Sequence, residues 1–253
     1  KNPINGTKFT LLISSAKGGV GKSTVAVNLA FALQNLGLKI GILDADVYGP
    51  SLPKLIGLNE KPKSEDGKAL IPLEKYKAQC MSMGFLVEEQ TPMIWRGPMV
   101  ISALKTMTQK VLWKNLDIIV VDMPPGTGDT QLTFAQEVKV DGAIIVSTPQ
   151  DLALLDVKRG IQMFDKTGVK TLGLIDNMSF FKGDDGKEYK IFGEGGVEIT
   201  AKEFSKNFLG KIPLNQDLRN SADKGEPLTH SEPDHEVSKI FKGIAEKVKS
   251  LIN

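Results

Sequence analysis

Ala16-Lys-Gly-Gly-Val-Gly-Lys-Ser-Thr24 lies between the apolar run Phe9–Ser14 and the stretch Lys22–Leu36, where Val25, Leu29, Ala32 and Leu36 recur at helical spacing. A strand, a glycine-rich turn ending in Lys-Ser, and then a helix is the context that a phosphate-binding loop requires. Gly18, Gly19 and Gly21 let the backbone turn tightly around Val20 and aim its N–H groups at phosphate oxygens. The helix that starts at Lys22, Ser23 and Thr24 adds the partial positive charge of its N-terminus. Lys22 is placed to reach the β- and γ-phosphates, and the Ser23 hydroxyl to ligate Mg²⁺. The usual pattern opens with glycine; here that place is taken by Ala16. ATP with Mg²⁺ is the expected ligand.

Outward from this loop, apolar and β-branched runs recur with helical stretches between them. Candidate strands are Phe9–Ser14, Lys39–Leu43, Asp117–Val121, Ala143–Ser147, Thr171–Ile175 and Leu209–Ile212, with a weaker one at Gln79–Met83. Several are continuous apolar runs, the pattern of strands covered on both faces of a parallel sheet. Helical spacing recurs at Leu152–Lys166 and Glu236–Leu251. The alternation predicts an α/β fold, a doubly wound, mostly parallel sheet flanked by helices. Asn59–Pro72 and Lys182–Lys187 read as polar loop excursions, too short to separate domains, so residues 1–253 are expected to form a single P-loop NTPase domain.

Two strands end in carboxylates. Lys39–Leu43 runs into Asp44-Ala-Asp46, and Asp117–Val121 runs into Asp122, followed by Met-Pro-Pro-Gly-Thr-Gly-Asp129. Carboxyl ends of strands are where open α/β sheets place their ligands. Asp122, after an apolar strand and about 100 residues beyond the loop, is the expected Walker B carboxylate beside Mg²⁺. Asp46 is expected to position or deprotonate the attacking water. Asp44 either helps to hold the Mg²⁺ shell or caps the next helical turn. Asp129 is placed to cap the helix after the Pro-Pro-Gly run. Phosphoryl transfer needs positioning and charge neutralisation, so no covalent nucleophile is called for.

Composition narrows the partners. Lys+Arg number 32 against Asp+Glu 30, which gives no case for a nucleic-acid protein. No apolar run reaches 18 residues, so no membrane span is expected. The single cysteine, Cys80, excludes an internal disulfide and fits a reducing compartment; the expected location is the cytoplasm.

Lys17, just inside the loop, resembles the signature lysine of the deviant Walker A class. That resemblance implies a homodimer in which Lys17 reaches the partner's nucleotide and assists hydrolysis. Asp44-Ala-Asp-Val-Tyr-Gly-Pro-Ser51, Trp95-Arg-Gly-Pro-Met99, Asp122-Met-Pro-Pro-Gly-Thr-Gly-Asp129 and Asn177-Met-Ser179 together resemble the Mrp/ApbC family of iron–sulfur cluster carriers, over nearly the whole chain. The resemblance implies ATPase activity in iron–sulfur protein assembly, with client or assembly proteins as partners. It also implies adenine contacts from Asn177 and the loop around Pro213–Asp217. The family's Cys-x-x-Cys, which holds a 4Fe–4S cluster, is missing: Phe180-Phe-Lys-Gly-Asp-Asp-Gly186 stands there, with Gly183 and about Gly186 at the cysteine places. Asp184 and Asp185 are hard oxygen donors and suit Mg²⁺ or Ca²⁺ better than a cluster. Because MinD and ParA proteins share the loop, the alternative is an ATP-dependent dimerisation switch that positions a membrane or partner. Ile240, Phe241, Ile244, Val248 and Leu251 form the apolar stripe of the tail, which fits either a membrane anchor or a helix packed on the sheet.

Overall fold

A computed structural model describes residues 1–65, 67–86 and 97–252. In chain order its elements are β1 (Thr7–Ser14), α1 (Lys22–Asn35), β2 (Ile40–Asp44), α2 (Leu52–Ile56), β3 (Ser64–Glu65), β4 (Ala69–Leu70), β5 (Leu73–Lys75) and β6 (Ala78–Ser82). There follow α3 (Gly97–Gln109), β7 (Leu116–Asp122), α4 (Asp129–Glu137), β8 (Gly142–Ser147), α5 (Asp151–Thr167), β9 (Thr171–Lys182) and β10 (Glu188–Tyr189). The chain ends with α6 (Gly196–Glu203), β11 (Phe208–Leu214), α7 (Gln216–Lys224), α8 (Leu228–Ser231) and α9 (Glu236–Ile252).

Among the described residues one sheet runs β10-β9-β8-β1-β7-β2-β6-β5, with β11 also paired to β9. From β11 through β9, β8, β1, β7 and β2 to β6 every pairing is parallel; β5 and β10 add antiparallel edges. The chain builds outward from β1 to β2 and β6, returns to β7 between β1 and β2, and then crosses β1 to build β8, β9 and β11. This reversal beside β1 is the switch point where an open α/β sheet leaves a crevice at its carboxyl edge. β2 and β8 are buried along their whole length, as runs covered on both faces require.

The expected doubly wound sheet is present, and the seven expected strands fall on β1, β2, β6, β7, β8, β9 and β11. The differences have physical causes. β9 is twelve residues long, where the apolar run alone suggested Thr171–Ile175. Polar Asp176, Asn177 and Ser179 interrupt the run, but they are buried and hydrogen-bonded, so the strand continues through them. The excursion Asn59–Pro72 contains a small hairpin, β3–β4, and is not pure loop. Of the expected stripe, Phe241, Ile244 and Val248 are buried, and Ile240 and Leu251 are partly buried against the core, where α9 packs on α1 and β11. That disposes of the apolar face a surface anchor would need.

Candidate functional site

β1 delivers the chain into the glycine loop at the switch point. Gly19 and Gly21 lie at φ +79° and +75°, a region that side-chain-bearing residues enter only under strain. Gly21 precedes α1, and Ser23 and Thr24 stand half-buried in its first turn. Ser15, Gly18, Gly19, Val20, Gly21, Lys22, Ser23, Thr24, Asp46 and Pro125 line a cavity of about 160 Å³. The expected loop residues are therefore gathered in one place, and Asp46 joins them from β2.

Lys22 and Asp122 are both buried, and the Lys22 ammonium donates to Asp122 Oδ1. β2 and β7 are in register here, with Asp44 opposite Asp122. The ammonium thus pairs with Asp122, the strand end that stands opposite Asp44. Asp46 lies at the next bend, with Oδ1 accepting from the N–H groups of Tyr48 and Gly49 at 3.2 Å each. Burial, ahead of the opposing pull of Lys22, raises its pKa above the ordinary carboxylate value, which moves it toward the range of a working base.

Asp44 is engaged elsewhere. Its Oδ2 accepts from Ser51 N–H at 2.9 Å, Leu52 N–H at 3.0 Å and Ser82 Oγ at 3.0 Å, and its Oδ1 from Asp46 N–H at 3.1 Å. Two of those donors open α2, so Asp44 caps that helix from a distance. Burial, reinforced by the nearby Asp122 charge, raises its pKa to about 7. These bonds are those of the capping alternative. Asp129 departs from expectation in the other direction. Gly128 occupies the cap position of α4, and Asp129 stands in the first turn with no capping bond from a side chain.

Lys17 is exposed at the mouth of the loop, and its ammonium has no partner among the described residues. Asn177 comes from the other half of the sheet and donates Nδ2–H to Val20 O at 2.8 Å. Pro213 is apart from the loop cavity. With Phe180, Phe181, Leu214 and Asn215 it lines a larger groove of about 540 Å³ between β11, α7 and the β9–β10 turn. Trp95 and Arg96 lie outside the described residues.

Two contributors escaped the sequence reading. Gln131, buried in α4, accepts from Ser14 Oγ at 2.8 Å and donates to Pro124 O, tying the Pro-Pro-Gly loop to the end of β1. Gly126 N–H donates to Ser15 O at 2.8 Å and completes that seam. No periodic signal marks a single buried glutamine on a largely polar helix, so neither contact was visible.

The hairpin where the cysteines would stand carries oxygen ligands and no sulfur. Asp185 accepts from Tyr189 OH at 2.8 Å and from Lys187 N–H at 3.0 Å, which holds its carboxyl below the usual range. Among the described residues no group of three or more His, Cys, Asp or Glu is arranged to hold a metal ion. Cys80 is in β6, fully buried, with its thiol directed to Ala78 O and pushed up to about 12 by burial. A thiol so placed stays protonated and out of reach, so it does not replace the missing pair.

Residues 6–249 match the family described as NUBPL iron-transfer P-loop NTPase, within the ParA group. The chain belongs to that family. It is 51% identical over 247 residues to the Arabidopsis thaliana "iron-sulfur protein required for NADH dehydrogenase, mitochondrial", covering 97% of this chain and 79% of the relative. It is 48% identical over 251 residues to the Escherichia coli K12 "iron-sulfur cluster carrier protein", covering 98% of this chain and 68% of the relative. Among solved structures it resembles the Archaeoglobus fulgidus nucleotide-binding protein in complex with ADP, at TM-score 0.77 and 36% identity, covering 87% of this chain and 88% of that one. The Pyrococcus furiosus cell division ATPase MinD shares the fold at TM-score 0.70 and 20% identity, covering 96% and 99%. Against this NUBPL-type background, the glycine loop and its carboxylates keep the P-loop pattern, whereas the hairpin at residues 183–186 lacks thiols.

Proposed function

We propose that this protein is a homodimeric, Mg²⁺-dependent ATPase that serves iron–sulfur protein assembly in the cytoplasm, built as one domain and holding no cluster on thiolates of its own. The observation that carries the reading is the buried Lys22–Asp122 pair beside a cavity lined by the glycine loop, Ser23 and Asp46. A lysine and a carboxylate held together at the head of a glycine loop are partners that a phosphate and a cation can each replace.

The donor set suits magnesium: a hydroxyl at Ser23 and a carboxylate at Asp122 are hard oxygen ligands. Mg²⁺ held there would supply charge neutralisation at the β- and γ-phosphates. Lys22 turns from Asp122 to the phosphate oxygens, and the loop N–H groups cradle them. Asp46 orients the attacking water and accepts its proton. Lys17, exposed and without a side-chain partner among the described residues, would reach the γ-phosphate of a facing subunit. Asn177 Oδ1 remains available to the exocyclic amine of adenine while Nδ2 is engaged, and Pro213 flanks the base.

Named relatives act in iron–sulfur cluster carriage and transfer, which supports the same setting for this chain. A cluster would then be the cargo, coordinated by partner thiolates or small thiols, because the chain's own thiol is buried. No observation favours a membrane-positioning role, since the apolar stripe of α9 is packed. The test is Lys17→Ala. Nucleotide binding is expected to persist, while ATP-dependent dimerisation, read by light scattering, and phosphate release both disappear. Dimerisation unchanged in that variant would overturn the shared-site reading.

A further inference from the structure

A loop that turns its N–H groups inward toward an anion must turn its carbonyls outward, into the protein. Each outward carbonyl that is buried needs a donor. At Val20 that donor is a side chain from the far half of the sheet: Asn177 Nδ2, at 2.8 Å, with Asn177 itself only 5% exposed. The fit is close. A Cβ added at Gly21 would stand 2.5 Å from Asn177 Nδ2 and 3.2 Å from Met178 Cε, so the loop lies directly on this pair.

The aim of Asn177 comes from a defect built into β9. Ile212 is paired with Asn177 and Leu214 with Phe181. Pro213 therefore faces three residues, Met178, Ser179 and Phe180. Proline has no N–H to offer the ladder, which permits the bulge. Met178 sits within it at φ +54°, an uncommon conformation for a side-chain-bearing residue inside a strand. Ser179 Oγ donates to Asp176 Oδ2 at 3.0 Å and ties the bulge shut. A strained, specifically closed bulge beside a ligand loop is a device for aiming a side chain.

We propose that Asn177 is a positioning residue for the phosphate loop. Its amide fixes the Val20 carbonyl outward, and the bulge at Met178–Phe180 holds the amide in place. The loop is thus shaped before any nucleotide arrives, and this role is separate from contact with the base. The proposal rests on the nucleotide-binding reading above only for its ligand assay.

The test compares Asn177→Ala and Asn177→Asp with the parent protein. The aspartate has the same shape but no N–H to give, and it is the variant to read if the alanine fails to fold. Two ligands are titrated with Mg²⁺: ATP, and inorganic tripolyphosphate, which has no base. A positioning role weakens the base-free tripolyphosphate as well as ATP, by about three- to tenfold, the worth of one buried hydrogen bond. Melting temperature falls in both variants, because the buried Val20 carbonyl is left without its donor. Loss of ATP affinity alone would assign Asn177 to base contact and overturn the proposal, as would no loss for either ligand. Amide hydrogen exchange of residues 17–24, measured without ligand, decides independently. Faster exchange confined to that loop supports the brace, and unchanged exchange overturns it. If the parent protein binds neither ligand, the nucleotide reading fails, and the exchange result still judges the brace.

Discussion

The phosphate loop and the β9–β10 hairpin both stand at carboxyl ends of parallel strands, yet they are built on opposite terms. At the loop, polar groups are buried and mutually committed: Lys22 to Asp122, Asn177 to Val20, Gln131 to Ser14 and Pro124, Asp44 to four donors. At the hairpin, Phe181 and Tyr189 face each other across the pair at 41% and 47% exposure, and Asp185 takes its bonds from exposed neighbours. Removing one member of a buried set strands its partner without water, at a cost of several kcal/mol. Removing a group from a solvated hairpin strands nothing. By this difference, a change at the hairpin is expected to leave the buried set at the loop undisturbed.

The sharpest way to break that comparison is Lys22→Ala. It takes away the phosphate ligand and leaves Asp122 buried beside Asp44, so turnover is expected to fall by about 10²–10³. The fold should also lose about 3 kcal/mol. Phosphate release and urea titration read the two effects. The matched hairpin change, Asp185→Asn, should leave both readings close to the parent; an equal loss would erase the distinction between the regions. Asp46→Ala comes next, with hydrolysis lowered by about 10²-fold and nucleotide affinity retained, as expected for a group that handles water and not phosphate. An Asp46→Ala protein with full turnover would remove it from the mechanism.

Asp176 sharpens the comparison from the side of stability. It is fully buried, Oδ1 has no partner among the described residues, and burial raises its pKa from 3.8 to about 6. Its protonated form is the one the fold prefers. Native protein therefore binds the extra proton between those values, and stability falls as pH rises through this window. Asp176→Asn does not titrate, so its stability relative to the parent should improve from pH 4 to pH 6, by about 1–3 kcal/mol, and level off above. Denaturant midpoints across pH give the answer, and a flat difference would contradict the burial argument. The smallest effect is expected at Cys80→Ala. Reconstituted anaerobically with iron and sulfide, it should retain no less iron than the parent after desalting, while stability drops by about 1 kcal/mol from the lost packing. Iron that depends on Cys80 would show that the thiol becomes accessible.

Much of this was legible in the chain. The glycine loop, the paired strand-end carboxylates and the continuous apolar runs were each local signals, and they led to the sheet and to a cavity containing Lys22, Ser23 and Asp46. What escaped was long-range. The role of Asp44 depends on where Ser51, Leu52 and Ser82 arrive in space, and the ladder between β2 and β6 is what brings Ser82 beside it. Gln131 has no neighbours in sequence that betray it. Asn177 could be marked as a strand-end residue, but the bulge that aims it at Val20 arises only when Pro213 is laid alongside β9.

Local sequence carries the strand–loop–helix that makes a phosphate site, the carboxylates at fixed distances from apolar strands, and the lack of a thiol pair, because spacing and residue chemistry act over a few positions. The folded layers set that Lys22 pairs with Asp122, that Asp44 caps a helix, that Cys80 is sealed in the core and that Asn177 bears on the loop from 157 residues away. Burial and pairing across a sheet are properties of the assembled layers, and no local pattern encodes which side chain will meet which.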